Sequence, residues 1–173
     1  FVLVGHSFGG YNMQLFARRY PYLVAGLVLV DSSHPTQVER FKAPPFNLNT
    51  APSSRWGMVK FGNPPRPHES LSVESRRLVS YQMRRWRTRR TLGHEFLGFR
   101  DSGRELRSAQ ALTAMPVVVL SRGKRVWPHN RRGDLLEQLW MKLQAELAAL
   151  SPASAHIVAA NSGHQVHMEQ PKL

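Results

Sequence analysis

Apolar positions follow two different rhythms along the chain. Phe1-Val2-Leu3-Val4 is a continuous apolar run that leads straight into Gly5-His6-Ser7-Phe8-Gly9. Gly26-Leu27-Val28-Leu29-Val30 is a second, closed by Asp31. Short unbroken runs rich in β-branched residues, bounded by polar turns, predict strands buried on both faces of a parallel sheet. Between them the period changes. Met13, Leu15, Phe16 and Ala17 mark the apolar positions of an amphipathic helix over Tyr11 to Tyr20, and Pro21 ends it. The stretch that follows contains Pro44-Pro45, Asn47, Asn49, Pro52, Pro64-Pro65 and Pro67. It predicts surface loop or short helices. From Glu69 a helical pattern resumes, with Leu78, Val79, Tyr81, Met83 and Trp86 as apolar candidates and Ser72, Glu74 and Ser75 as capping residues. Asp134 to Leu150 reads as a further helix.

Gly5-x-Ser7-x-Gly9, preceded by a strand and followed by a helix, predicts a nucleophile elbow with the Ser7 hydroxyl at the carboxyl end of the sheet. Gly5 and Gly9 fit that reading, since a tight turn pressed against its neighbours leaves no room for Cβ atoms. The pentapeptide alone is a weak signal, because glycine and serine are common in loops. Its flanking strand and helix give it weight.

With those residues in view, the chain resembles the α/β-hydrolase family. Phe1 to Pro35 is similar to the family's fifth strand, elbow helix and sixth strand. Met115-Pro116-Val117-Val118-Val119-Leu120-Ser121-Arg122-Gly123 resembles the seventh strand, and Ala155-His156-Ile157-Val158-Ala159-Ala160 the eighth. Asn161-Ser162-Gly163-His164, followed by Pro171, resembles the catalytic-histidine loop. The likeness is good at both ends and poor in the middle. It implies an α/β fold, a partial α/β-hydrolase whose mostly parallel sheet holds the last four strands. The core would comprise residues 1–35 and 115–173, with residues 36–114 as a cap or lid insertion.

The resemblance also implies what would come before Phe1. The family's first four strands precede the elbow, and the loop after its third strand supplies one oxyanion-hole N–H. Only the second donor, the backbone N–H of Phe8, has a counterpart. A hole with one donor loses about 3–4 kcal/mol of transition-state stabilisation. Residues 1–173 expressed alone are expected to be insoluble or loosely packed, since the first strand would present an apolar edge.

Composition narrows the picture further. At 173 residues with 42% hydrophobic content, one folded domain is expected rather than a disordered chain. No apolar run approaches the roughly 20 residues of a membrane span, so no integral membrane segment is predicted. The chain has no cysteine, which excludes disulfides and thiolate metal sites and leaves the compartment open. The net charge is +13. Arginines concentrate at Arg76, Arg77, Arg84, Arg85, Arg87, Arg89, Arg90, Arg100, Arg104 and Arg107, interleaved with Tyr81 and Trp86. Such a segment suits nucleic acid or an anionic membrane surface. No nucleic-acid-binding motif accompanies the charge, so a solvated cap face, an acidic substrate or an acidic neighbouring surface accounts for it better. Gly5-x-x-x-Gly9-Gly10 lacks the Lys-Ser/Thr of a phosphate loop, and His129 and its neighbours lack metal-ligand spacing. Neither cofactor nor metal is expected.

A serine hydroxyl needs a base to take its proton and a carboxylate to orient that base. The resemblance makes His164 the base among eight histidines. Of the others, His6 lies inside the elbow, where such turns point it away from the nucleophile. His156 lies in the predicted last strand, and His167 on the following helical turn. The acid is less determined. The family usually places it after the seventh strand, where this chain reads Ser121-Arg122-Gly123-Lys124-Arg125-Val126-Trp127 without a carboxylate. Asp31, at the end of the sixth strand, and Asp134, opening the later helix, both keep the order serine, acid, histidine. Each also has a structural explanation, Asp31 as a turn cap and Asp134 as an acid favoured by the helix dipole. Asp31 is the first choice. Phe41, Phe46, Trp56, Met58 and Phe61 either line an acyl pocket or form ordinary cap core. The reading is a serine hydrolase acting on a small-molecule acyl substrate, an ester above all, through Ser7, His164 and Asp31. An aspartate at the position of Ser7 would be expected of a haloalkane dehalogenase. The competing reading is a non-catalytic homologue that serves as a binding scaffold.

Overall fold

The computed structural model describes residues 1–41, 67–112 and 114–173. Four strands form one sheet: β1 (Val2–His6), β2 (Gly26–Val30), β3 (Val117–Arg122) and β4 (Ser154–Ala159). They lie side by side in chain order, every pair parallel. The arrangement is a mostly parallel sheet with helices, consistent with a partial α/β-hydrolase fold. Helix α1 (Gly9–Arg19) connects β1 to β2, with a short 3₁₀ turn at Pro21–Leu23. Helix α2 (Gln37–Phe41) follows β2, α3 (Val73–Arg84) and α4 (Trp86–Ser108) precede β3, α5 (Arg131–Ala148) joins β3 to β4, and α6 (Val166–Glu169) closes the chain.

The chain divides into two compact units. One comprises Phe1–Ala43 and Asp101–Leu173 and holds the whole sheet; the other is Pro44–Arg100. In the sheet-bearing unit the core consists of Ala17, Val24, Leu27, Leu29, Met115, Val117, Val119 and Leu147. Both continuous apolar runs are strands, but they differ in burial. Leu27, Leu29 and Val30 in β2 are buried, as expected of a strand covered on both faces. In β1, Val2 is 64% and Val4 61% exposed. Helix α1 buries Tyr11, Gln14 and Ala17, while Met13, Leu15 and Phe16 are only partly covered. Its inward face shares Ala17 with the predicted stripe and adds Tyr11 and Gln14, and Met13 and Phe16 pack against the core.

In the second unit, the expected cap of α3 is present. Ser72 is its N-cap and accepts a hydrogen bond from the Ser75 backbone N–H at 3.1 Å. Phe46, Trp56, Met58, Phe61 and the proline-rich segment through Pro65 lie outside the described residues. Phe41 is buried beside Trp140 and Leu143.

Candidate active site

The site is built at the carboxyl ends of the strands, where parallel sheets of this kind gather functional groups. β1 ends at His6, and Ser7 turns the chain with φ 52°. α1 begins two residues on, with Phe8 at its N-cap position. A serine in the left-handed region is strained, and such strain clusters at functional sites when the surroundings hold it. Here they do. The Ser7 N–H donates to Val30 O at 3.2 Å, and Ser7 O accepts from the N–H groups of Ser33 and Gly10 at 3.0 and 3.1 Å.

The glycines around the turn divide differently from expectation. A Cβ on Gly5 would lie 2.7 Å from the Gly10 Cα, and one on Gly10 would lie 1.8 Å from the Ser32 Oγ. A Cβ on Gly9 would meet nothing within 4 Å. The close approach is therefore between Gly5 and Gly10, with Ser32 behind. Gly9 is not a packing glycine, because as the first residue of α1 it points its missing side chain into open space.

Asp31 follows β2 and is the other non-glycine residue with positive φ, 38°, among the described residues. Its side chain is wholly buried. Oδ2 lies 2.6 Å from His164 Nδ1. Oδ1 accepts from the Trp140 Nε1–H at 2.8 Å and the Arg122 backbone N–H at 3.2 Å. Arg122 Nη1 is 3.6 Å from Oδ2. A buried carboxylate requires such partners, since an ion removed from water without them is costly. The bond from His164 Nδ1 also fixes the tautomer of the neutral ring: Nδ1 carries the proton and Nε2 presents a lone pair.

The loop bearing His164 is held from several sides. Ser162 O accepts from the N–H groups of Gly123 and Lys124 at 3.1 and 2.9 Å. The Gly163 N–H donates to Glu169 Oε2 at 3.1 Å. His6 Nε2–H donates to the His164 carbonyl at 2.8 Å. The His6 ring also lies 4.7 Å from the His164 ring and 4.6 Å from that of His167. Burial lowers the His6 pKa, and the neighbouring His164 and His167 act in the same direction. So His6, expected only to face away from the nucleophile, braces the loop of the histidine. A neutral His6 serves that role, since Nε2–H is a donor in either case.

Asp134 is placed apart from this arrangement. It lies in the first turn of α5, half exposed, with Arg125 Nη1 at 2.6 Å from its Oδ1. His156, in β4, bonds instead to the Ser121 Oγ at 2.8 Å. Two groups had no part in the sequence reading, Trp140 and Glu137, and Arg122 entered it only within the stretch that lacks a carboxylate. The Arg122 guanidinium is almost fully buried against the indoles of Trp127 (4.7 Å) and Trp140 (5.0 Å) and donates to Glu137 Oε2 at 2.7 Å. Burial lowers its pKa, opposed by Asp31 and Glu137. Among the described residues there is no cluster of three His, Asp or Glu side chains able to hold a metal. No helix there is long and apolar enough to cross a membrane.

Comparison with known proteins gives a consistent picture. A model described as the alpha/beta hydrolase family matches residues 1–173. The uncharacterized protein YqjL of Bacillus subtilis is 36% identical over 76 residues, which are 43% of this chain and 28% of that protein. Among solved structures, the deformylase Nfo of Pseudomonas putida superposes with a TM-score of 0.56 at 18% identity, covering 99% of this chain and 62% of that one. A thermophilic esterase of Thermogutta terrifontis gives 0.50 at 20% identity, covering 99% and 60%. These likenesses concern the fold. The chain spans less than two thirds of the length of each of these proteins.

Proposed function

The chain belongs to the alpha/beta hydrolase family, and from that premise we propose that it is a serine hydrolase acting on an acyl substrate, with Ser7, His164 and Asp31 as its triad. The observation that carries the reading is the 2.6 Å bond between His164 Nδ1 and the buried Asp31 carboxylate, at the same strand ends as the strained Ser7 turn. Ser7 Oγ attacks the acyl carbonyl while His164 Nε2 takes its proton. The tetrahedral oxyanion receives the N–H of Phe8 at the head of α1. His164 returns the proton to the leaving group, and an acyl group remains on Ser7. Water, activated by the same histidine, releases the acid and restores the hydroxyl. An ester is the substrate class this sequence of steps suits most simply. Residues 36–114 are read as a cap or lid insertion.

The test is fluorophosphonate labelling of the full-length protein, followed by mass spectrometry of the tagged peptide. Labelling at Ser7, abolished in Ser7→Ala and at least about 10³-fold slower in His164→Gln, is the expected result. A folded protein with Ser7 unlabelled would sink the triad and leave the binding-scaffold reading in its place.

A further inference from the structure

We propose that Arg122 is a positioning residue for the Asp31–His164 pair, and that Arg122 and Glu137 together set the pH range in which His164 works. The inference rests on the triad reading and extends it to two groups outside the triad. Arg122 is the last residue of β3, in the stretch where the resemblance calls for the acid. Its backbone N–H and its guanidinium approach the two oxygens of Asp31, at 3.2 Å and 3.6 Å. Two indoles, themselves packed edge to face at 6.1 Å, lie within 5.0 Å of the guanidinium carbon, an arrangement that favours a cation and restricts its rotamers.

Glu137 completes the device. Its Oε2 takes the Arg122 guanidinium at 2.7 Å, and its Oε1 accepts from the N–H groups of Val126 and Trp127 at 2.6 and 2.9 Å. One carboxylate thus tethers the cation and fastens the loop that brings Trp127 over it. Trp140, on the same helix as Glu137, also lies over the guanidinium and donates to Asp31.

The charges explain why such an assembly would be kept next to a base. Asp31 and Glu137 are two anions, and Arg122 is one cation. With His164 neutral the four groups sum to −1. With His164 protonated, the state formed when it takes the serine proton, they sum to zero. Low dielectric makes that difference matter. Removing Arg122 leaves the group at −2 with neutral His164 and favours protonation. Neutralising Glu137 leaves it at zero and disfavours protonation. The two changes therefore push in opposite directions. The other titratable groups around the pair are His6 and His167, reached through ring contacts, and Glu169 with Lys124 beside the loop. They are common to all the variants.

The experiment measures the pH profile of kcat/KM for a p-nitrophenyl ester with the full-length protein as parent, Arg122→Met, Arg122→Lys and Glu137→Gln. The His164 ring is followed in parallel by NMR on histidine-labelled protein, assigned by its loss in His164→Gln. The acid limb and the ring titration should move up by about one pH unit in Arg122→Met and down by about half a unit in Glu137→Gln. Arg122→Lys should return the limb to within a few tenths of a unit of the parent, with kcat still reduced because a single ammonium cannot fork between two carboxylates. Limbs that stay put, or that move in the same direction in both charge-removing variants, would overturn the proposal. If Arg122→Met does not fold, the downward shift in Glu137→Gln and the position of the Arg122→Lys limb decide it. The NMR titration needs no turnover. Ring shifts of the expected sign with Ser7 unlabelled would therefore fail the triad reading and uphold the role of Arg122.

Discussion

The end of β2 and the start of α5 each offer a carboxylate between Ser7 and His164, and the molecule treats the two in opposite ways. Asp31 has no exposed side-chain surface and lies against His164, Trp140 and both the backbone and the guanidinium of Arg122. Asp134 is 54% exposed and pairs with Arg125 at the surface. An exposed ion pair of that kind contributes at most about 1 kcal/mol, so Asp134 is at home as a helix-start acid. Asp31 would be destabilising were its partners not assembled around it. What separates the two is not the residue type or its order in the chain but the degree to which distant segments converge on it.

The sharpest way to break this contrast is a pair of single changes. Asp31→Asn should lower kcat/KM by about 10³–10⁴-fold, because the amide offers the wrong partner to the His164 Nδ1–H. Asp134→Asn should leave it within about twofold. Equal losses, or the reverse ranking, would return the acid to Asp134. A smaller effect probes the donors around Asp31. Trp140→Phe keeps most of the packing and removes the Nε1–H bond at 2.8 Å. A bond to a charged acceptor is worth about 1.5–3 kcal/mol, so a loss of about tenfold or more in kcat is expected, with KM nearly unchanged. A rise in KM alone would make Trp140 a substrate contact instead.

The weakest test concerns stability, at a group close to Asp31 in the chain but buried without its network. His34 is buried, and burial moves its pKa from 6.5 to about 4, against the opposing influence of Glu146 at 3.6 Å. The folded protein thus keeps His34 neutral where the unfolded chain protonates it. Its contribution is complete above pH 6.5 and is lost as pH falls towards 4, by up to about 3 kcal/mol. Thermal melts across that window should show a decline that flattens in His34→Gln. An identical decline in the variant would assign the effect to other groups.

What was legible in the sequence was what depends on neighbours in the chain. The β1–Ser7–α1 turn, the β2 run and the Ser72 cap are local patterns, and each appears where the residues predicted it. The late strands and the His164 loop were placed by resemblance and also appear. The choice between Asp31 and Asp134 could only be ranked, since burial and hydrogen bonding to segments far along the chain carry the distinction. Trp140 and Glu137 gave no sequence signal at all, being two residues in an ordinary amphipathic helix. Arg122 did give one: a cation ends β3, in the stretch where the resemblance calls for an acid. Gly10, rather than Gly9, was missed because its crowding comes from Ser32 across the turn.

One backbone feature has a bearing on time rather than on geometry. The Ser7 turn bonds directly to Val30 and Ser33, so Ser7 and Asp31 belong to one short strand–helix–strand unit. His164 is joined to Asp31 across 133 residues of chain. Contacts of low sequence separation form readily, whereas distant ones wait for the loops between them to close. During refolding, the strained serine and its neighbouring aspartate are therefore expected to take shape before the imidazole arrives. Recovery of fluorophosphonate reactivity should lag behind recovery of β1–β2 structure, making nucleophilicity a clock for the last step of assembly.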